Sequence, residues 1–390
     1  MEPKTVQHYN WKFDYPSKCY FEQYSEMADT RYFKSSDLPI EQYELKTQMD
    51  CYRKAASIHR IARSEGKKML QPNIKYKDVV DTVEKTILRC FKIDPLDYYK
   101  NIGKYESGIA FPVGLSVNNI MAHDTALYDD ERILNIGDVV KLDIGVHCNG
   151  YIIDSAFTHI VGDSEYNEIY KPLLNATADA TYSAIAMAGP DVRLYEMSEI
   201  ISEIISSYEI EYINGNTCQI NPVKGLGGHN VLRNEVHGGD LILSYPDEKH
   251  QEGMKMKENC TYAIETYAST GFGDATQSGG DLSHFSFNED KIYNNKWYKN
   301  YCKKSETGFN KWLEQRRKLP FSITWIGELG AFDKKTEKAF RSEFKDLLDT
   351  NILIGYPPLV DNEKARTSQL EHTIYIRENG VDILSLGNDY

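Results

Sequence analysis

Apolar positions along the chain fall into two periods, and the alternation between them predicts the elements. Between Glu41 and about Lys68, residues Met49, Ala55, Ala56, Ile58, Ile61 and Ala62 form a stripe of helical period, and Gly66 marks its stop. Pro72 and Asn73 make the connection to a second amphipathic helix, about Tyr76 to Phe91, with Val79, Val80, Val83, Ile87 and Leu88 on one face. The period then changes to two. Val139 to Val146 and Tyr151 to Phe157 flank Cys148-Asn149-Gly150, and an Asn-Gly between alternating apolar runs signals an antiparallel hairpin. A second helix pair follows, about Ser164 to Met187 and Leu194 to Tyr208, divided by Gly189-Pro190. After it come a glycine-rich stretch from Gly225 to Gly228 and a strand run from Cys260 to Thr270.

Before the hairpin, Leu115 to His123 reads as a strand and turn delivering one histidine, and the glycine-rich stretch delivers His229; helix, helix, strand with histidine, strand with carboxylate is thus an order that occurs twice, about 115 residues apart. It predicts an internally duplicated α/β domain over residues 41–390 with its site in the cleft between the halves. Residues 1–40, rich in aromatics such as Tyr9, Trp11 and Phe13 and without a clear period, read as an arm packed on that body. From about 285 to 355 the pattern shifts again. Aromatics lie among charges there, and Glu337 to Thr350 reads as a helix with Ala339, Phe340, Phe344, Leu347 and Leu348 along one side, which predicts an inserted helical lobe. A strand from Gln369 to Ile376, carrying Glu371, and a last run from Val381 to Leu386 close the chain.

Composition narrows the class. A length of 390 residues suffices for a full core, and a net charge of -13 with a pI near 5.3 argues against a general nucleic-acid binder, so no direct DNA binding is expected. The basic run Lys296 to Lys304 reads as a solvated face. Seven cysteines form neither a disulfide framework nor a Cys-x-x-Cys zinc spacing, which fits a reducing compartment. The first residues lack the apolar core of a signal peptide, and no run approaches the roughly 18 apolar residues of a membrane span. A soluble cytoplasmic protein is the expectation.

The hairpin carries the first chemistry. Asp143 and Asp154 fall opposite or diagonal to one another, with Cβ atoms roughly 5 to 8 Å apart. Buried together without a partner they would cost several kcal/mol, so a cation is expected between them; on the outer face of a surface hairpin they would simply be solvated. Strand-borne His229, Glu265 and Glu371 extend the set. Four carboxylates and an imidazole are hard ligands suited to two divalent ions about 3.5 to 4 Å apart, a pair that can stabilise attacking and departing groups of a hydrolysis.

The motifs GIAFPVG with NNIMAH, KLDIGVHCNGYIIDSAFT, GGHNVL with EVH, YAIET, and YPP with QLEHT resemble those of the type 2 methionine aminopeptidases, members of the pita-bread fold superfamily. The resemblance covers about residues 45–390, and the span between His284 and Tyr356 is similar to the helical insertion of type 2 enzymes. The long charged N-terminal extension of many eukaryotic members has no counterpart here. The resemblance implies that Asp143 chelates one metal and His229 the other, with Asp154 and Glu371 bridging and Glu265 completing the set on the His229 side. It implies that Glu265 shuttles the proton of an activated water, His237 hydrogen-bonds the scissile carbonyl, and His123 holds the substrate near the leaving nitrogen. The substrate's free amine would bind a metal, which confines cleavage to the first peptide bond.

A methionine pocket is implied at Phe111, Val236, His284 and Tyr356. One departure stands out. Where members often carry a small residue inside the insertion, the run Phe321 to Ile326 places Trp325, which bears on the pocket's width. The implied function is removal of initiator methionine from nascent chains with a small second residue, by a ribosome-associated monomer using two divalent ions (manganese, cobalt, iron or zinc). Two rivals stand beside it: an X-Pro aminopeptidase or prolidase of the same fold, and a ribosome- or RNA-binding relative without catalysis, which should lack a ligand.

Overall fold

The computed structural model describes residues 40–387 except 280, 293–295, 305–308 and 328–333. All but the last residue of the predicted arm lies outside them. Helix α1 spans Ile40–Met69 and α2 spans Tyr76–Cys90. Their apolar stripes, among them Ala55, Ile58, Ala62, Val79, Val83 and Ile87, share one core with Leu142, Ile144 and Val146 of the hairpin.

Gly66 does not end α1, contrary to the sequence reading. A side chain there would place its Cβ 2.7 Å from Val83 Cγ2 and 2.8 Å from Leu142 Cδ2, so the glycine lets helix, helix and sheet close on one another. The turn comes later, where Asn73 takes a left-handed φ of 68°. Gly66→Ala would gain about 1 kcal/mol of helix propensity but overpack a core whose misfits cost roughly 1–3 kcal/mol. A net loss of stability on urea unfolding is expected.

The hairpin consists of β1, Val139–Cys148, and β2, Tyr151–Ile160. Asn149 and Gly150 turn it with φ of 52° and 81°, the mirror-image geometry that suits the strands' twist. In its register Asp143 faces Ala156 and Gly145 faces Asp154, so the two aspartates are diagonal neighbours. Side chains alternate across β1: Leu142, Ile144 and Val146 point into the helical core, and Asp143, Gly145 and His147 take the other face. Ser107–Ile109 and Gly114–Val117 complete this sheet along the outer edge of β1.

The second half repeats the arrangement. Helices α3, Glu165–Met187, and α4, Leu194–Ser206, bury Ala176, Ala180, Ala184, Met197 and Ile201 against Ile264, Ala268, Ile374 and Ile376. Those last four lie on β4, Thr261–Ser269, and β5, Thr367–Arg377, which pair antiparallel; β3, Gly227–Val231, flanks β4 on the other side. At Gly228 a Cβ would sit 2.2 Å from the Ala263 carbonyl, so this part of the glycine-rich run is needed for backbone approach.

The two sheets meet where β2 runs beside β5. No backbone ladder joins them there. Three hydroxyls do: Thr373 bonds both Asp154 N and Asp154 O, Ser155 Oγ donates to the Glu371 carbonyl at 2.6 Å, and Thr158 bonds Gln369 N and O, each at 2.8 Å. The carboxylates of both halves are thereby brought to one seam.

The inserted lobe holds helices Lys296–Lys304, Phe309–Arg316 and Lys334–Asp349. It is not purely helical. Phe321–Ser322 and Leu353–Tyr356 flank His284–Phe287 in a small sheet at its base, which sets His284 directly opposite Tyr356.

Candidate metal centre and active site

Every residue proposed from the sequence for metal binding, proton transfer or substrate contact lines one cavity of about 230 Å³ at the seam. The register explains the convergence. Glu265 on β4 is paired with Glu371 on β5, so their side chains share a face, and the seam bonds lay Asp154 alongside them. His229 on β3 pairs with Ala263, two residues from Glu265.

Two groups of ligand atoms result, each within 4.8 Å: Asp154, His229 and Glu371, and Asp143, Glu265 and Glu371. Glu371 belongs to both. Glu265 therefore sits with Asp143, whereas the resemblance implied the His229 side. The reason is local: Gln369 Nε2 donates to Glu265 Oε1 at 2.6 Å and to Asp143 Oδ2 at 3.2 Å, and the Tyr267 hydroxyl donates to the same Oε1 at 2.7 Å.

His229 Nδ1 lies 3.3 Å from the Asn230 carbonyl, which calls for the proton on Nδ1 and leaves the Nε2 lone pair for the centre, 3.8 Å from Asp154 Oδ2. Asp143 Oδ1 and Glu371 Oε2 are buried acceptors without any hydrogen-bond partner. Two orphaned carboxylate oxygens in a cluster of four carboxylates and a neutral imidazole fit divalent cations and little else.

Electrostatics agrees with that fit. Burial first, then Asp143, pushes Glu265 up to about 8, and burial pushes Asp143 up to about 6. Asp154 and Glu371 are driven well above the carboxylate range by burial and by their acidic neighbours. Burial lowers His229 to about 4. Without ions the cluster therefore holds protons that an unfolded chain, with carboxylates near about 4, has released. For these carboxylates the folded state holds more protons, so their contribution to stability falls as pH rises from about 4 through the raised values, while lowered His229 works the other way below the usual histidine value. Divalent ions replace those protons. Added manganese should accordingly raise Tm more at about pH 8 than at about pH 6, and equal shifts in a thermal scan would contradict this.

Around the centre, His123 follows the short strand Ile120–Ala122 with a φ of 65°, a left-handed conformation rare for histidine that aims its ring into the cavity. Its ring lies edge-on to Tyr356 at 5.6 Å and 6.1 Å from His284. His237 stacks edge-to-face on His229 at 4.1 Å and is reached by solvent through the cavity. Desolvation by the walls around it first, then His229 and His123, hold it well below the usual histidine value. Phe111, Val236, Leu226, Leu243 and Pro320 supply an apolar wall.

Trp325 is not part of that wall. Its indole Nε1 donates to both Glu84 oxygens at 3.0 and 3.1 Å, its ring stacks on Tyr99, and Arg316 lies over it, so it anchors the lobe to α2. The expectation that it shapes the pocket fails because Glu84, 241 positions away, claims it. Conversely, Tyr267 and Gln369 were missed. Each lies two residues from a ligand on a strand, hence on the same face, and that spacing could have revealed them.

Comparison with known proteins identifies the class. The pattern of metallopeptidase family M24 matches residues 50–302, and the chain belongs to that family; it is a metal-dependent hydrolase of the pita-bread fold. Methionine aminopeptidase 2 of Komagataella phaffii is 36% identical over 346 residues, spanning 87% of this chain and 70% of that protein. Methionine aminopeptidase 2 of Saccharomyces cerevisiae is 36% identical over 341 residues, 87% and 75% respectively. Among solved structures, a methionine aminopeptidase of Thermotoga maritima shares the fold with a TM-score of 0.55 at 22% identity, covering 87% of this chain and 96% of that one. A thermophilic Arx1 does so with 0.68 at 17%, covering 88% and 92%.

Proposed function

We propose that this protein is a type 2 methionine aminopeptidase, removing initiator methionine from nascent chains whose second residue is small. The observation that carries the reading is the double use of Glu371, one carboxylate common to two ligand groups, which suits a pair of divalent ions. Manganese, cobalt, iron and zinc all accept such donors. When bound, the pair supplies Lewis-acid activation of water and of the scissile carbonyl.

The chain's own residues do the rest. Glu265, buried and gripped by Tyr267 and Gln369, takes a proton from the attacking water and passes it to the leaving amine. His237, neutral at physiological pH, donates one N–H to the carbonyl oxygen as charge develops there, and His123 steadies the substrate near the departing nitrogen. Phe111, Val236, His284 and Tyr356 enclose an unbranched thioether, whose sulfur is polarisable against aromatic edges.

All five proposed ligands are present in the one cavity, which favours catalysis over a purely binding role. Among the described residues no helix is long and apolar enough to cross a membrane. On its likeness to the methionine aminopeptidases, we propose that the enzyme works in the cytoplasm, meeting its substrates at the ribosome. The test is turnover of a Met-Ala-Ser peptide by chelator-stripped protein titrated back with each metal, beside an X-Pro peptide. Release of methionine restored by metal supports the reading; cleavage of the X-Pro peptide alone overturns it.

A further inference from the structure

A second cavity, of about 200 Å³, opens on the far side of the apolar wall. Leu319 lines it and packs with Phe111 and Val236, which face the metal centre, so the two spaces stand back to back without a shared lining residue. His147 lines it, on the same face of β1 as Asp143 but four residues further along. The side chain is only 5% exposed, and its Nδ1 has no hydrogen-bond partner. A buried ring nitrogen without a partner, on a residue that lines a polar space, calls for one.

The charge around it is one-sided. Arg233, Arg316 and Arg317 line the cavity against a single carboxylate, Glu106, in a chain whose net charge is -13. Arg316 is buried, and its guanidinium spends its bonds on neutral groups: the carbonyls of Ile109 at 2.9 Å, Ala110 at 2.7 Å and Pro320, and the Tyr98 hydroxyl. No carboxylate is among its hydrogen-bond partners; Glu84 acts on it only from beyond the Trp325 ring, and Arg316 lines the cavity. Arg233 is held by its Nε bond to the Asn149 carbonyl at 2.9 Å and lies over the Tyr151 ring at 5.1 Å, with its terminal nitrogens left for another acceptor. Asn234 and Gln315 add amide donors. Burial, then Arg316, lowers His147 to about 3, so the ring is neutral and offers one N–H.

We propose that this cavity is an oxyanion site, in which His147, Arg233 and Arg317 hold a phosphate or carboxylate group under the field of Arg316. A forked guanidinium matches both groups bidentately, and the space beyond the ring leaves room for an organic substituent. The site is separate from peptide hydrolysis and does not depend on the reading of the metal centre.

Nitrogen-15 spectra of the histidine rings in the full chain test it. The His147 signal is assigned with His147→Asn, and the probes are sodium phosphate, sodium acetate and sodium chloride at matched ionic strength. A saturable shift of the His147 ring with phosphate or acetate, absent with chloride and weakened at least about tenfold in the R233Q/R317N double variant, is the expected result. Both arginines are exposed, and asparagine suits the left-handed φ of 59° at position 317, so the variant should fold. Response to one anion only identifies the group. No saturable shift with either anion, an undiminished response in the double variant, or a response confined to His229 and His237 would overturn the proposal.

Discussion

Replacing Glu371 by alanine should abolish peptide turnover while leaving the protein folded. The carboxylate is 1% exposed, one of its oxygens has no protein partner, and it is the member common to both ligand groups. Losing it weakens two positions at once. Partners that merely orient a ligand cost 10–100-fold in affinity or activity when removed, so a shared ligand should cost well over about a hundredfold. Stability should move the other way. Four crowded carboxylates disfavour one another's ionisation, and deleting one relieves that strain, so the ion-free variant should resist urea at least as well as its parent. Calorimetry should show lost or weakened binding of both ions. Full activity with metal supplied would refute the assignment of Glu371, and collapse of the fold would refute its account as a ligand rather than a structural group.

His237→Ala should act differently. Its ring is neutral and stands against His229 on the open side of the cavity, where a carbonyl oxygen would acquire charge. A donor that strengthens its bond only as that charge forms contributes to kcat rather than to substrate affinity. Loss of such a donor typically costs roughly a hundred- to a thousandfold in kcat. Steady-state kinetics on a Met-Ala-Ser peptide should show that fall with KM changed only a few-fold. A change confined to KM would assign His237 to ground-state binding instead.

The sequence disclosed most where its signals are local. Asn149-Gly150 announced the turn, the turn set the register, and the register made Asp143 and Asp154 diagonal neighbours. The helical stripes of α1 to α4 were equally plain because each buries one face only. What escaped depends on partners remote in the chain. Gly66 looks like a helix stop until Val83 and Leu142 are seen pressing on it, and Trp325 looks like a pocket residue until Glu84 takes its N–H. The small sheet under the lobe joins His284 to Tyr356 across 72 positions, too far for any window of sequence to show. His123 illustrates a third case. Its left-handed backbone is a conformation that histidine seldom adopts, and propensity alone would never have placed it there.

The seam between the halves has a mechanical implication. A backbone ladder unzips one rung at a time, but β2 and β5 are fastened by Thr373, Ser155 and Thr158, three small latches that can release together. Asp154 and Glu371 stand on opposite sides of those latches, so cations shared by the two carboxylates would tie the halves together where the hydroxyls already do. Loading the centre would then act as a rivet through the joint, stiffening the seam as it completes the site.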